Sequence, residues 1–204
     1  MIKKSFKQFL RSLYHLADKN STDDFGHIGK SCIIPNSVKM SNPKNLYFDD
    51  HVNIGADSIL NSTNAKIKIK RYFVSAPGLR ISTGQHERRI GRFLASITEK
   101  EKNHNIGLDK DVIINEDVWA GFGVTILAGV EIGRGCTIAA GSVVTRSLPP
   151  YCVGGGIPAK PIKFYWTVNQ ILEHESQLYE ESERFTRDEL ENIIIKTTAI
   201  TLNL

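Results

Sequence analysis

The sequence predicts an all-β solenoid, a parallel β-helix, because a six-residue period runs without a break through residues 108–144. An aliphatic or small residue opens each hexad, and a second small or branched residue follows four positions later, as in 114–119 and 132–137. Neither an α-helix nor an alternating strand has this period, whereas hexapeptide repeats are typical of β-helices. We expect three hexads to form one triangular coil, with glycines and acid-rich triplets at its corners.

The composition fits one globular domain and argues against several classes of protein. The 204 residues are 41% hydrophobic and 24% charged, and the net charge is only +4. Because no run of Lys or Arg alternates with aromatic residues, we expect no nucleic-acid partner. Three cysteines without paired spacing favour a reducing compartment. With no signal-peptide core and no apolar stretch of about 18 residues, we expect a cytoplasmic protein.

The flanks of the solenoid are predicted to be helical. Residues 1–24 should form an amphipathic helix and linker, which we expect to cover one end of the solenoid rather than to lie on a membrane. The β-helix should occupy residues 25–162, and its weaker early hexads slip in phase before Phe48 and before Ile69. Residues 163–204 should form a helical extension, with amphipathic residues at 163–181 and then a helix opened by a Thr186–Glu189 capping box.

The period stops at residues 87–107. A solenoid tolerates an insertion only at a corner, so we expect a loop there, and loops of this length are usually functional or disordered. Arg88, Arg89 and Arg92 follow one another closely in it. Since guanidinium groups recognise carboxylates, we hypothesise an anionic sugar acceptor such as a uronic or sialic acid unit. A solvated loop face is the alternative.

Several motifs give the chain a family resemblance. VWAG at 118–121, IAAGSVVTR at 138–146 and GIPAK at 156–160 resemble the hexapeptide-repeat acyltransferases, specifically the galactoside, maltose and xenobiotic acetyltransferases, over about residues 28–162. The resemblance implies a left-handed parallel β-helix, an exception to the usual right-handed crossover. It also implies a homotrimer with sites between subunits, acetyl-CoA as co-substrate, no metal, and O-acetylation of sugars in bacterial capsules or surface polysaccharides.

His86 is the candidate catalytic residue. It follows ISTGQ at 81–85 and precedes the long insertion, which is where the family places its catalytic histidine. A neutral imidazole suits deprotonation of a hydroxyl, because its pKa is close to neutral pH. The group that orients this imidazole stays open, with Glu87 merely adjacent. The oxyanion donor also stays open, with Asn53 as a weak candidate. Direct transfer within a ternary complex is expected, because no nucleophile motif is present.

The resemblance assigns six residues to the donor site. Three small residues would let backbone amides approach the pantetheine arm, and three polar ones would meet the phosphates, where the alternatives are repeat packing and solvated charge. These candidates are Gly121, Ala140, Gly141, Thr145, Arg146 and Lys160. Trp119 matches a tryptophan that the family keeps near its active site, and the alternative is an aromatic that packs on the flank.

Other classes of function remain as alternatives. A γ-class carbonic anhydrase would need three histidine ligands, and His51, His86 and His104 lack the closely spaced pair that this site requires. A non-catalytic hexapeptide scaffold would not bind coenzyme A. Because the same fold serves N-acetylation of amino sugars, the sequence barely separates that reaction from O-acetylation.

Overall fold

The described part of the chain forms three β-sheets that surround one core. The computed structural model describes residues 24–202, without the side chains of residues 105 and 200–202. The predicted N-terminal helix therefore lies outside the described residues, apart from position 24.

The strands are short and regularly spaced. In chain order they are β1 (His27–Ile28), β2 (Lys39–Met40), β3 (Leu46–Phe48), β4 (Ile59–Asn61), β5 (Ile67–Ile69), β6 (Val74–Ser75), β7 (Arg80–Ser82), β8 (Val112–Ile114), β9 (Trp119–Ala120), β10 (Thr125–Ile126), β11 (Glu131–Ile132), β12 (Thr137–Ile138), β13 (Val143–Val144), β14 (Cys152–Gly156) and β15 (Ala159–Phe164). After them come helices α1 (Val168–Leu178) and α2 (Arg187–Leu202).

The chain visits the three sheets in rotation. Face 1 has the strand order β1-β3-β5-β8-β11, face 2 has β6-β9-β12-β14-β15, and face 3 has β2-β4-β7-β10-β13. Isolated parallel bridges at Ile33 and Asn53 extend face 2 into the first two coils. All pairs except β14–β15 are parallel. This is the three-sided arrangement that the six-residue period predicts.

The hexad pattern correctly predicts which side chains are buried. Every opening residue from position 114 to position 144 is fully buried, and the residues four positions later are at most 3% exposed. Each buried Val, Leu or Ile contributes roughly 1.5–3 kcal/mol relative to an exposed one. Leu108, by contrast, is only half-buried and lies outside any strand. The stack therefore resumes at Val112, four residues later than the sequence indicates.

The corners of the coil explain the two slips in phase. A 3-10 turn at Pro43–Asn45 fills the corner between β2 and β3, and residues 62–66 form the matching corner one coil later. The corner between faces 1 and 2, by contrast, has nearly the same backbone conformation in successive coils. Five non-glycine residues there have φ between 55° and 63°, namely Ser31, His51, Tyr72, Asp117 and Tyr151. Because the same left-handed turn recurs in successive coils, the strands stay in register.

A hairpin ends the coil stack. Strand β14 pairs parallel to β12, and β15 then folds back antiparallel onto β14 and covers an otherwise open sheet edge. The predicted helix at 163–181 is therefore wrong at its start, because Lys163 and Phe164 pair with Val153 and Cys152 in this hairpin. Helix α1 begins only at Val168.

Both C-terminal helices begin with a capping box. Thr167 and Gln170 exchange hydrogen bonds at the start of α1, which the sequence reading missed. The capping box predicted for the second helix is present, because the Glu189 carboxylate accepts from the Thr186 amide at 2.7 Å and the Thr186 hydroxyl accepts from the Glu189 amide at 3.3 Å.

A buried carboxylate ties the helices to the coil stack. Glu175 on α1 is fully buried and accepts hydrogen bonds from Arg134 Nη1 at 3.0 Å, Tyr151 Oη at 2.7 Å and the Phe185 amide at 2.6 Å. The guanidinium of Arg134 also lies 4.0 Å from the centre of the Tyr179 ring. Burial raises the pKa of Tyr151 far above its ordinary value, so its hydroxyl remains a donor.

All three cysteines have free thiols. Cys136 and Cys152 are buried with their sulfur atoms 3.7 Å apart, Cys32 is half-buried, and none of the three forms a disulfide. Within residues 24–202, none of the helices is both long enough and apolar enough to cross a bilayer.

Candidate active site

His86 lies at the edge between faces 3 and 1, just after β7. Its side chain is exposed and borders a cavity of about 150 Å³. Every residue that lines this cavity is polar or glycine, and those used below are His86, Asn61, Asn64, Glu99, Lys102 and Asp109. Such a lining suits a hydroxylated ligand, because each hydroxyl can donate and accept hydrogen bonds.

Asn61 is a candidate that the sequence reading missed. It pairs with Ser82 across the neighbouring strands β4 and β7, one coil from His86. Its Oδ1 accepts hydrogen bonds from Ser41 Oγ at 3.1 Å and from Thr63 Oγ1 at 3.0 Å, which fixes the amide orientation. Within the described residues Nδ2 donates no hydrogen bond, so it is left for a ligand. Counting hexads back from Ile81 to Leu60 places Asn61 at this edge.

Asn53 does not share this cavity. It bridges Ile33 and Val74 on face 2, whereas β7 belongs to face 3. Its weak candidacy as the oxyanion donor is therefore not supported by its place in the coil.

Glu87 anchors the long loop and does not orient His86. Its carboxylate accepts from Arg89 Nε at 2.6 Å and Nη2 at 3.0 Å, and from the Asn103 amide at 2.7 Å. These hydrogen bonds lower the pKa of Glu87 to about 2. The sequence predicts that the loop at residues 87–107 is either functional or disordered. Charge-assisted hydrogen bonds hold the base of this loop.

A second set of contacts holds the end of the loop against the coil. Lys102 Nζ lies 2.7 and 2.9 Å from the two Asp109 oxygens, and both side chains are less than 10% exposed. Burial by itself would raise the pKa of Asp109, but hydrogen bonds from Lys102, His104 and Asn64 lower it below its usual value. Glu99, His104 and Asp109 bring possible metal-binding atoms within 4.8 Å of one another, yet the Lys102 ammonium already supplies a cation there.

The loop arginines do not line the His86 cavity. Arg89 is paired with Glu87, and Arg92 donates to Ser96 Oγ at 3.1 Å and to the Ser96 carbonyl at 2.6 Å. These two guanidinium groups therefore organise the loop itself. Arg88 is exposed and has no partner among the described residues. The contacts thus remove most of the physical ground for an anionic acceptor.

Three of the six donor candidates come together. Thr145, Arg146 and Lys160 line a cavity of about 570 Å³ with mostly apolar walls, on the same edge as His86 and two strands further along face 3. Thr197 of α2 forms part of the wall. This helical contribution could not be predicted from the sequence, because the path of α2 depends on how it docks against β15.

The other three donor candidates lie on the opposite edge of face 3. Gly121, Ala140 and Gly141 occupy corners between faces 2 and 3, and Trp119 points outward from face 2 with 52% of its surface exposed. A Cβ on Gly121 would lie 2.7 Å from the Ala140 amide nitrogen, so coil stacking alone requires glycine there. Gly141 has φ of +70°, which its turn requires. The donor candidates of one chain are therefore divided into two candidate half-sites, one on each edge of face 3.

Known proteins share both the repeat and the fold. Residues 111–146 match the family model described as bacterial transferase hexapeptide (six repeats). A galactoside O-acetyltransferase of Lactococcus lactis is 29% identical over 66% of this chain and 60% of its own length. A putative lipopolysaccharide biosynthesis O-acetyl transferase of Escherichia coli is 42% identical over 35% of this chain and 33% of its own length. The chain spans between 31% and 60% of the length of four curated relatives.

The solved structures agree with these sequence relatives. A hexapeptide-repeat acetyltransferase of Vibrio cholerae is 28% identical, with a TM-score of 0.62 over 72% of this chain and 77% of that one. It has also been solved in complex with acetyl coenzyme A, and that structure is 25% identical with a TM-score of 0.59 over 72% of this chain and 74% of that one. This chain carries the repeat of the bacterial hexapeptide transferases, and its resemblance to that family is confirmed.

Proposed function

We propose that this protein is an acetyl-CoA-dependent O-acetyltransferase that acts on a sugar hydroxyl, in a bacterial capsular or surface polysaccharide. The observation that carries the proposal is His86 and Asn61 on one polar cavity, at the edge that also holds the Arg146 and Lys160 cavity. The relatives that act on galactosides and in lipopolysaccharide biosynthesis support a carbohydrate acceptor. The acetyl coenzyme A complex of the Vibrio cholerae protein supports the donor.

The residues of the first cavity suit direct acyl transfer. The neutral His86 imidazole takes the proton of the acceptor hydroxyl while its oxygen attacks the thioester carbon. The carbonyl oxygen becomes negative, and Asn61 Nδ2 donates a hydrogen bond to it, since Oδ1 is already held by Ser41 and Thr63. When the C–S bond breaks, protonated His86 returns its proton to the departing thiolate. No covalent enzyme intermediate is required.

The second cavity suits the phosphorylated end of the donor. Arg146 and Lys160 supply positive charge for phosphates, and Thr145 supplies a hydroxyl group. Apolar walls that include Pro149, Pro158 and Pro161 give an adenine ring a surface to pack against. The pantetheine arm would then run along the edge toward His86.

We propose a homotrimer in which the two half-sites meet. The site residues lie on both edges of face 3, so a neighbouring copy could place its Gly121 and Trp119 edge against the His86 edge of the first. Face 2 supports this arrangement, because the outward side chains of Val74 and Trp119 are neighbours and Ile33 continues this column beyond Asn53, each of the three being at least 44% exposed.

Sedimentation equilibrium at micromolar concentration tests this assembly. We expect a mass three times the 22.8 kDa of the chain. Val74→Asp places a charge in the apolar column and should shift the mass toward that of one chain. Ile113→Asp makes the same kind of change on face 1 and serves as the matched control. A monomeric wild-type protein would count against a site shared between subunits.

Three further proposals concern the handedness of the coil, the division of the chain into domains and the location of the protein. We propose that the coil is left-handed, as in the acetyltransferases that it resembles. We also propose that residues 25–164, which include the closing hairpin, form the acyltransferase domain and that helices α1 and α2 form its extension. The unpaired cysteines fit a reducing compartment, so we propose a cytoplasmic location.

Release of free thiol from acetyl-CoA across neutral sugars, amino sugars and oligosaccharides tests the proposed function. We expect release only when a hydroxylated acceptor is present. Release that depends on an amino group would identify an N-acetyltransferase instead. A protein that does not bind coenzyme A in a calorimetric titration would be a scaffold rather than an enzyme of this kind.

A further inference from the structure

The cavity beside His86 carries a net negative charge. Two carboxylates, Glu99 and Asp109, and one ammonium, Lys102, line it, so one negative charge remains when the histidines are neutral. Lys102 Nζ lies 2.7 Å from Asp109 Oδ1 but 3.7 Å from Glu99 Oε1. The ammonium is therefore paired most closely with Asp109, and it compensates the charge of Glu99 only in part.

Glu99 is placed to receive a ligand. Its side chain is 58% exposed, and Oε1 accepts a hydrogen bond from Asn64 Nδ2 at 2.6 Å, which fixes the carboxylate. Within residues 24–202, Oε2 has no hydrogen-bond partner. A fixed carboxylate oxygen that faces open space accepts from hydroxyl groups and repels other carboxylates.

We infer that the acceptor carries no negative charge where it enters this cavity, and that Glu99 recognises it by accepting a hydrogen bond from one of its hydroxyl groups. This inference rests on the proposed function and replaces the hypothesis of an anionic sugar. A carboxylate on the acceptor would lie within several ångströms of Glu99. At the dielectric of a protein surface, that repulsion lowers affinity on the order of tenfold or more.

A matched pair of acceptors tests the inference. Methyl galactoside and methyl galacturonoside share one ring and differ at C6, where the second carries a carboxylate. With acetyl-CoA at saturation, we expect kcat/KM to favour the galactoside by about tenfold or more in the wild type. Glu99→Gln keeps an oxygen for Asn64 but removes the charge, and should reduce this preference to about threefold or less without changing coenzyme A affinity.

Glu101→Gln is the control variant. It removes one charge from the same loop, but Glu101 does not line the cavity, and glutamine keeps an acceptor for the Thr98 amide. We expect its preference between the two sugars to match that of the wild type. A wild-type enzyme that prefers the galacturonoside, or a Glu99→Gln variant with an unchanged preference, would overturn the inference.

A binding measurement separates this inference from the proposed function. If neither sugar causes thiol release, the proposed acetyltransferase activity is contradicted for these two acceptors. Saturation-transfer NMR then measures whether either sugar binds to the cavity. Binding of the galactoside over the galacturonoside, lost in Glu99→Gln, would support recognition by Glu99. No binding of either sugar at millimolar concentration would overturn it.

Discussion

Replacing His86 with alanine is expected to lower kcat by a factor of about 10² to 10⁴, the usual contribution of a positioned general base. The imidazole is exposed at the rim of a polar cavity, shortly after the end of β7, so its removal leaves both cavities in place. KM for acetyl-CoA should change little, because the cations proposed to hold the donor lie two strands away. Initial rates of thiol release at varied acetyl-CoA and acceptor concentrations measure both parameters.

His27→Ala is the matched control for this prediction. His27 is exposed on β1, at the far end of the coil stack, and lines neither cavity. We expect wild-type kinetics from it. Full activity in His86→Ala would show that another group removes the proton, whereas an equal loss in both variants would point to a general effect on folding.

Replacing Glu175 with alanine is expected to weaken the docking of α1 and α2 by about 3–5 kcal/mol. This buried carboxylate accepts three hydrogen bonds, and its loss would leave the Tyr151 hydroxyl and the Phe185 amide without this acceptor and Arg134 paired with Glu116 alone. Because each coil contacts mainly its neighbours, the loss should be confined to the C-terminal end. Amide hydrogen exchange of residues 168–202 measures it, since local opening sets the exchange rate.

An exposed residue on the same helix provides the comparison. Glu173 is not buried, so Glu173→Ala should change the stability of α1 by at most about 0.5 kcal/mol. Since Thr197 borders the donor cavity, Glu175→Ala should also weaken coenzyme A binding. Unchanged exchange in Glu175→Ala would mean that other contacts hold the helices.

Much of the fold follows from local sequence rules. An inward position in a β-helix tolerates few residue types, so Ile114, Ile126 and Ile138 reveal their burial directly. The start of α1 could not be predicted in this way. Phe164 and Tyr165 fit an apolar helix face equally well, and only the pairing of Phe164 with Cys152 across the hairpin makes this segment a strand.

The candidate site was predictable only where it depends on the repeat. His86 stands out because the period stops beside it, and the edge on which it lies follows from counting hexads. The roles of Arg89 and Arg92 could not be read in this way, because their partners Glu87 and Ser96 are chosen by the folding of an irregular loop. The negative charge of the cavity likewise depends on Glu99, which the loop brings back to the coil.

The number of coils between the two cavities sets the distance between His86 and Arg146 along face 3. Strands β7, β10 and β13 are neighbours on face 3, and adjacent strands lie about 4.8 Å apart, so the edges that lead to His86 and to Arg146 are separated by roughly 10 Å. One extra coil inserted between them would move Arg146 by one strand spacing and would leave the side chains of both cavities unchanged. The coil stack therefore sets the distance that separates the proposed donor cavity from the proposed base.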